Sequence, residues 1–86
     1  MNSVDAETLA LKALAFLAQS PDDLERFVAL SGVTAADLRA RADDPEILAA
    51  VLDFVLATDE RVTGFCEAAE IDPRDLHAAR RALPGA

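Results

Sequence analysis

Between Ile47 and Ala57 only Asp53 carries a charge. At 100° per residue, Ile47, Leu48, Val51, Leu52, Phe54, Val55 and Leu56 cover more than half of a helical circumference. Upstream, Leu9, Leu11, Leu14, Phe16 and Leu17 fill a similarly broad arc, with Lys12 and Gln19 opposite. Shorter amphipathic stretches surround these two, the clearest carrying Leu24, Phe27, Val28 and Leu30. Apolar residues recur at helical intervals throughout, and alternation of the strand kind is missing. The pattern predicts an all-α chain. Its two most apolar helices need partners on several sides and form the central pair.

Caps and breakers divide the pattern into six helices. Ser3 is placed to cap the first, with Asp5 and Glu7 in its first turn, where negative charge meets the positive end of the dipole. That helix runs to about Gln19. Ser20-Pro21-Asp22-Asp23 starts a second, which stops at Gly32. Thr34 and Asp37 form a capping box for a short third helix ending near Ala42, and Val33 and Leu38 have staple spacing. Asp44-Pro45, Thr58-Asp59-Glu60 and Asp72-Pro73 start the fourth, fifth and sixth helices, with Ile71 and Leu76 repeating the staple. Leu83-Pro84-Gly85 closes the run.

A shift of 38 positions lays one half of the chain on the other. Phe16 meets Phe54, Phe27 meets Phe65, Leu14 meets Leu52, and Asp37-Leu38 meets Asp75-Leu76. The caps Ser20 and Thr34 fall on Thr58 and Asp72. Residues 5–42 and 43–80 are therefore read as pseudo-repeated three-helix halves. Low identity leaves duplication and convergence on one helical plan both open. Solenoids need about three units to bury a continuous core, so two such halves must close on each other with approximate two-fold symmetry. Phe16 and Phe54 are then expected as equivalent core residues.

Length and composition narrow the picture. Eighty-six residues make one domain, 1–86, with a core that leaves little margin. Tryptophan and tyrosine are absent, and three glycines and four prolines leave little turn chemistry for a sandwich or barrel. The net charge of −8 repels phosphate, which argues against nucleic acid and anionic membranes as partners. A single cysteine, Cys66, makes no intrachain disulfide. The beginning of the chain lacks a basic stretch, and Leu9 to Ala18 is interrupted by Lys12 and too short to cross a bilayer. The cytoplasm is the expected location.

Candidate chemistry adds little. His77 is the only histidine and has no cysteine or histidine near it in sequence, so it reads as a surface residue rather than a metal ligand. Cys66, beside Phe65, reads as a small buried hydrophobe. The pairs Asp22-Asp23, Asp43-Asp44 and Asp59-Glu60 sit at helix starts, where carboxylates satisfy free N–H groups, and they lack the spacing of a calcium loop. Asp22/Arg26 and Asp37/Arg41 have i,i+4 spacing for exposed ion pairs, and Arg80 and Arg81 suit a helix C-terminus. Neither a glycine-rich phosphate loop nor a nucleophile motif is present. No cofactor, metal or catalytic residue is expected, and the chain does not read as an enzyme.

Four segments carry a resemblance: Leu9-Ala10-Leu11-Lys12-Ala13-Leu14-Ala15-Phe16-Leu17-Ala18, Phe27-Val28-Ala29-Leu30-Ser31-Gly32, Asp37-Leu38-Arg39-Ala40-Arg41-Ala42, and Ile47-Leu48-Ala49-Ala50-Val51-Leu52-Asp53-Phe54. With them the chain resembles, over nearly its whole length, a family of small bacterial proteins known only as a domain of unknown function. The resemblance implies a helical fold and a bacterial cytoplasmic setting, and brings no activity with it.

Two functional readings follow. The first is a protein-interaction module or adaptor, binding an unidentified protein or a second copy of itself. Leu11 and Leu56, near the edges of the two broad arcs, are its candidate surface. The alternative is an acidic mimic of nucleic acid that occupies a DNA- or RNA-binding protein. It rests on the charge alone, because the carboxylates cluster at helix starts instead of in phosphate-like rows.

Overall fold

The computed structural model describes residues 1–84; Gly85, the last residue of the expected closing turn, lies outside them. Six helices follow in order: α1 (Ser3–Ala18), α2 (Pro21–Ser31), α3 (Ala35–Arg41), α4 (Pro45–Leu56), α5 (Asp59–Ala69) and α6 (Pro73–Arg81). The described residues contain no strand.

Side chains that accept backbone N–H groups set most of these starts. Asp44, Thr58 and Asp72 each hold an extended backbone and accept from the first turn behind them, and Pro45 and Pro73 follow at the first helical position. The Thr34 hydroxyl accepts from Asp37 N–H at 3.0 Å, and the Asp37 carboxylate accepts from Thr34 N–H at 3.2 Å, closing the box. Two expectations need correction. Asn2, not Ser3, caps α1: its Oδ1 accepts from Asp5 N–H at 2.8 Å, and Ser3 is already helical. Asparagine caps at least as well as serine, and Asn2 stands three residues before the donor. Ser20 occupies the cap of α2, but its side chain makes no capping bond.

Two helices end in left-handed backbone. Gly32 closes α2 at φ 76°, where glycine has no steric penalty. Glu70 closes α5 at φ 55°, a conformation that costs a non-glycine residue about 1 kcal/mol. Gly32 and Glu70 are 38 residues apart, so the backbone repeats a cap that the side chains do not.

The contact between α1 and α4 is the most extensive in the molecule. α4 buries Ile47, Leu48, Ala49, Val51, Leu52, Phe54 and Val55. α1 buries Ala6, Leu9, Ala10, Ala13 and Leu17. Three of those five are alanines, so the α1 arc is centred elsewhere than its leucines implied. Measured from that alanine face, Leu11 stands roughly 140° away and Phe16 roughly 80°. Phe16 is therefore half-buried on the flank, while Phe54 is buried with 6% of its surface exposed. The expected equivalence of these two positions as core residues does not hold.

Aromatic contacts join the halves crosswise. Phe16 packs on Phe65 and Phe27 on Phe54, both with ring centroids 5.6 Å apart. Asp23 of α2 pairs with Arg61 of α5 at 3.8 Å. A two-fold exchange of the halves would swap the ring pairs and return the ion pair to itself. The third helices break that exchange: α6 lies against α1, α4 and α5, whereas α3 makes no extensive contact with another helix and buries only Leu38. The radius of gyration, 11.6 Å, matches the roughly 12 Å of a closed globule this long. The halves close on each other rather than stack as a solenoid.

Replacing Phe54 with alanine should cost about 3–5 kcal/mol in a urea titration, and Phe16→Ala clearly less, because part of that ring already meets water. Equal losses would place Phe16 in the core. Glu70→Gly should raise stability by about 1 kcal/mol by relieving the left-handed backbone; a loss would show that the glutamate side chain outweighs that strain.

Candidate apolar groove between α2 and α4

The expected surface residues separate. Leu11 is 41% exposed on the outer side of α1, whereas Leu56 is half-buried against the core. Neither lines the mostly apolar concavity that the described residues form elsewhere. It is an open groove of about 310 Å³ between α2 and α4.

α2 buries Phe27 and half-buries Leu24 and Val28, so its inward direction is the mean of those three. Leu30 points roughly 110° from that mean. It is 77% exposed, the most exposed of the large apolar side chains described, and stands on the lip of the groove. The opposite wall comes from α4. Nearly every other position there is buried, which leaves Glu46, Ala50, Asp53 and Ala57 as its outward strip. Alanines at 50 and 57 keep the wall low, and the rings of Phe27 and Phe54 form the floor.

The groove is rigidly built. Phe27 meets Phe54 nearly edge to face, at 73°, and the Arg61 guanidinium lies 3.9 Å from the Phe54 ring centre. Asp53, on the rim, accepts from Arg80 Nε at 2.6 Å and Nη2 at 3.2 Å, a bidentate pair reaching from α6. Arg80 also donates to the carbonyl of Pro84 at 3.0 Å, so one side chain ties α4, α6 and the segment after it. At the other end, Ser31 donates to the Phe27 carbonyl at 2.6 Å and accepts from Val33 N–H at 3.1 Å. Gly32 then turns the chain away and leaves that end open.

The ionisable groups do different work. Asp37 is held below its ordinary carboxylate value by the Thr34 N–H and hydroxyl, and Asp72 by Arg74. Both are engaged at helix starts. The expected Asp37–Arg41 pair is not made, because Asp37 turns to its cap and Arg41 reaches Asp44 at 3.7 Å. Asp22 and Arg26 likewise form no ion pair among the described residues. His77 is exposed, and Cys66 is buried as a free thiol. Burial, with the Asp72 carboxylate adding to it, pushes that thiol above its ordinary value. Among the described residues no group of three His, Cys, Asp or Glu side chains gathers to hold a metal, and no helix is long and apolar enough to cross a membrane.

A family described as a protein of unknown function, DUF3572, matches residues 3–86. The chain belongs to that family. No curated protein and no solved structure matches it. Membership of DUF3572 fits the resemblance drawn from the alanine- and leucine-rich segments and assigns no activity to the groove.

Leu30 escaped the sequence reading because it was grouped with Leu24, Phe27 and Val28 in one amphipathic stretch with no wheel drawn for it. Its angle from the other three was the available signal.

Cys66 should label slowly with a thiol reagent in the native chain and quickly in urea. Its folded pKa is raised, so the unfolded chain loses that proton first. Its contribution to stability is full below the ordinary thiol value, near 8.5, and falls as pH rises above it. Cys66→Ala should remove that alkaline decline; rapid native labelling at neutral pH would contradict the burial.

Proposed function

We propose that the chain is a protein-interaction module that works through the α2–α4 groove and Leu30. The observation that carries this reading is a leucine left 77% exposed beside an open apolar groove with a two-ring floor. Removing an exposed leucine from water is worth about 1.5–3 kcal/mol, so a partner that covers it gains a substantial anchor. A volume of about 310 Å³ is at the low end for small-molecule pockets, and the groove is open. That favours a side chain from another protein over an enclosed metabolite. We read the chain as a binding protein rather than an enzyme, since its shifted carboxylates, Asp37 and Asp72, are engaged in helix caps. A free, buried Cys66 suits the reducing cytoplasm.

One observation favours self-association as a second reading. Val4 and Leu11, seven residues apart, expose 67% and 41% of their surfaces along one side of α1. Two copies could cover this strip across a two-fold axis. Repulsion between chains of charge −8 opposes that, and salt screens it beyond roughly 8 Å. The nucleic-acid mimic has less support, because the carboxylates cluster at helix starts instead of in phosphate-like rows, and Asp37, Asp44 and Asp72 are engaged in caps.

A photocrosslinker placed at position 30 in cells should capture a defined protein that one placed at exposed position 39 does not. Equal capture from both positions would dismiss the groove as the contact surface. Light scattering over a concentration and salt series separates the second reading: a homodimer should tighten as salt rises, and a monomer under every condition rules it out.

A further inference from the structure

We infer that the chain has a second binding groove, between α1 and α5, which takes the same occupant as the first: a neutral apolar side chain from another molecule of the same partner. One chain then holds two partner molecules of one kind. This rests on the interaction reading above and adds its stoichiometry.

The α2–α4 groove has a counterpart at an offset of 38 residues. On its α2 side, Phe27, Leu30 and Ser31 correspond to Phe65, Ala68 and Ala69 of α5. On its α4 side, Ala50, Asp53, Phe54 and Ala57 correspond to Lys12, Ala15, Phe16 and Gln19 of α1. These counterparts line one open groove of about 190 Å³, and every lining residue of either groove has its match in the other. Burial of a common core does not account for the match. Outside the rings, none of the matched positions is buried, so the offset repeats a surface shape as well as a core.

The two floors are built alike. Each is a pair of phenylalanines, one from the central helices and one from an amphipathic neighbour, with ring centroids 5.6 Å apart. Phe16 is half-buried where Phe54 is only 6% exposed, so the second floor offers more ring to an incoming group. Apolar area removed from water and close contact depend on shape, whichever helix supplies the ring. What packs on one ring pair therefore packs on the other.

The charged positions do not match. The first groove has Asp53, already paired with Arg80, and the second has Lys12 with Ala15 in place of the carboxylate. A side chain that suits both grooves is therefore neutral. The other differences set the order of filling. Ala68 replaces the leucine lip, so an occupant covers less apolar surface there. Lys12 and Gln19 replace Ala50 and Ala57, and the Lys12 stem can lie along an occupant while its ammonium stays in water. The α2–α4 groove fills first, and the α1–α5 groove binds roughly tenfold more weakly.

The test is an NMR titration of the chain, its alanine methyls isotope-labelled, with N-acetyl-leucinamide as the probe. Ala50 and Ala57 report on the first groove, and Ala15, Ala68 and Ala69 on the second. Both sets should shift saturably, the second with a Kd roughly tenfold higher. Leu30→Asp should weaken binding at the first set by roughly tenfold or more and leave the second unchanged. Ala15→Glu should do the reverse, read at Ala68 and Ala69. Both positions are exposed, and circular dichroism checks that the variants fold. Shifts confined to Ala50 and Ala57 overturn the second groove and leave the interaction reading standing. Shifts at Ala68 and Ala69 that persist unchanged in Ala15→Glu do the same. Shifts confined to the second set, or no saturable shift in either, overturn both.

Discussion

Everything in this fold depends on how closely α1 can approach α4. Their contact is the most extensive in the molecule; α1 buries Ala6, Ala10 and Ala13, and α4 is apolar over most of its circumference. Interaxial distance follows the size of the side chains between two helices, and alanine also holds α1 helical without rotamer entropy to lose. With the central pair so placed, α2, α5 and α6 have fixed surfaces to cover. α4 is then enclosed on all sides but one. That remaining strip, Glu46, Ala50, Asp53 and Ala57, becomes a wall of the groove by default.

The crosswise ring pairs make the two halves depend on each other. Phe27 reaches its packing partner only if α4 is in place, and Phe65 reaches Phe16 only if α1 is. Each half therefore finishes the other's aromatic cluster, and Arg61 spans the seam by pairing with Asp23 while stacking on Phe54. The difference between α3 and α6 lies in what they can bury. α6 contributes Leu76 and Ala79, and the turn after it adds Leu83. α3 has seven residues and one buried side chain, Leu38. Two helices of similar capping chemistry thus hold to the core with different strength.

Much of this was legible in the residues. The six helices and most of their caps follow from short-range chemistry, in which a hydroxyl or carboxylate stands two or three positions before the N–H it accepts. Direction was harder. A wheel gives the width of an apolar arc but not which part of it meets the neighbouring helix, and leucines weigh more than alanines in any such estimate. On α1 that weighting turned the arc toward Leu11 and Phe16, whereas close approach favoured the alanines. On α2 Leu30 was grouped with Leu24, Phe27 and Val28 without a direction of its own. The groove was illegible for a related reason: it belongs to no segment, and exists only once Phe27 and Ala57, 30 residues apart in sequence, stand on the same concavity.

The loose attachment of α3 has a consequence for the energy landscape of the molecule. Residues 33–43 run between a left-handed glycine at 32 and the Asp44 cap, and both anchors belong to the well-packed helices on either side. This stretch can unfold as a separate cooperative unit while the remaining helices keep their places, since it forfeits one buried leucine and one capping box. The native state is then an ensemble with two tiers of free energy. In its upper tier Leu38 leaves the core and meets water.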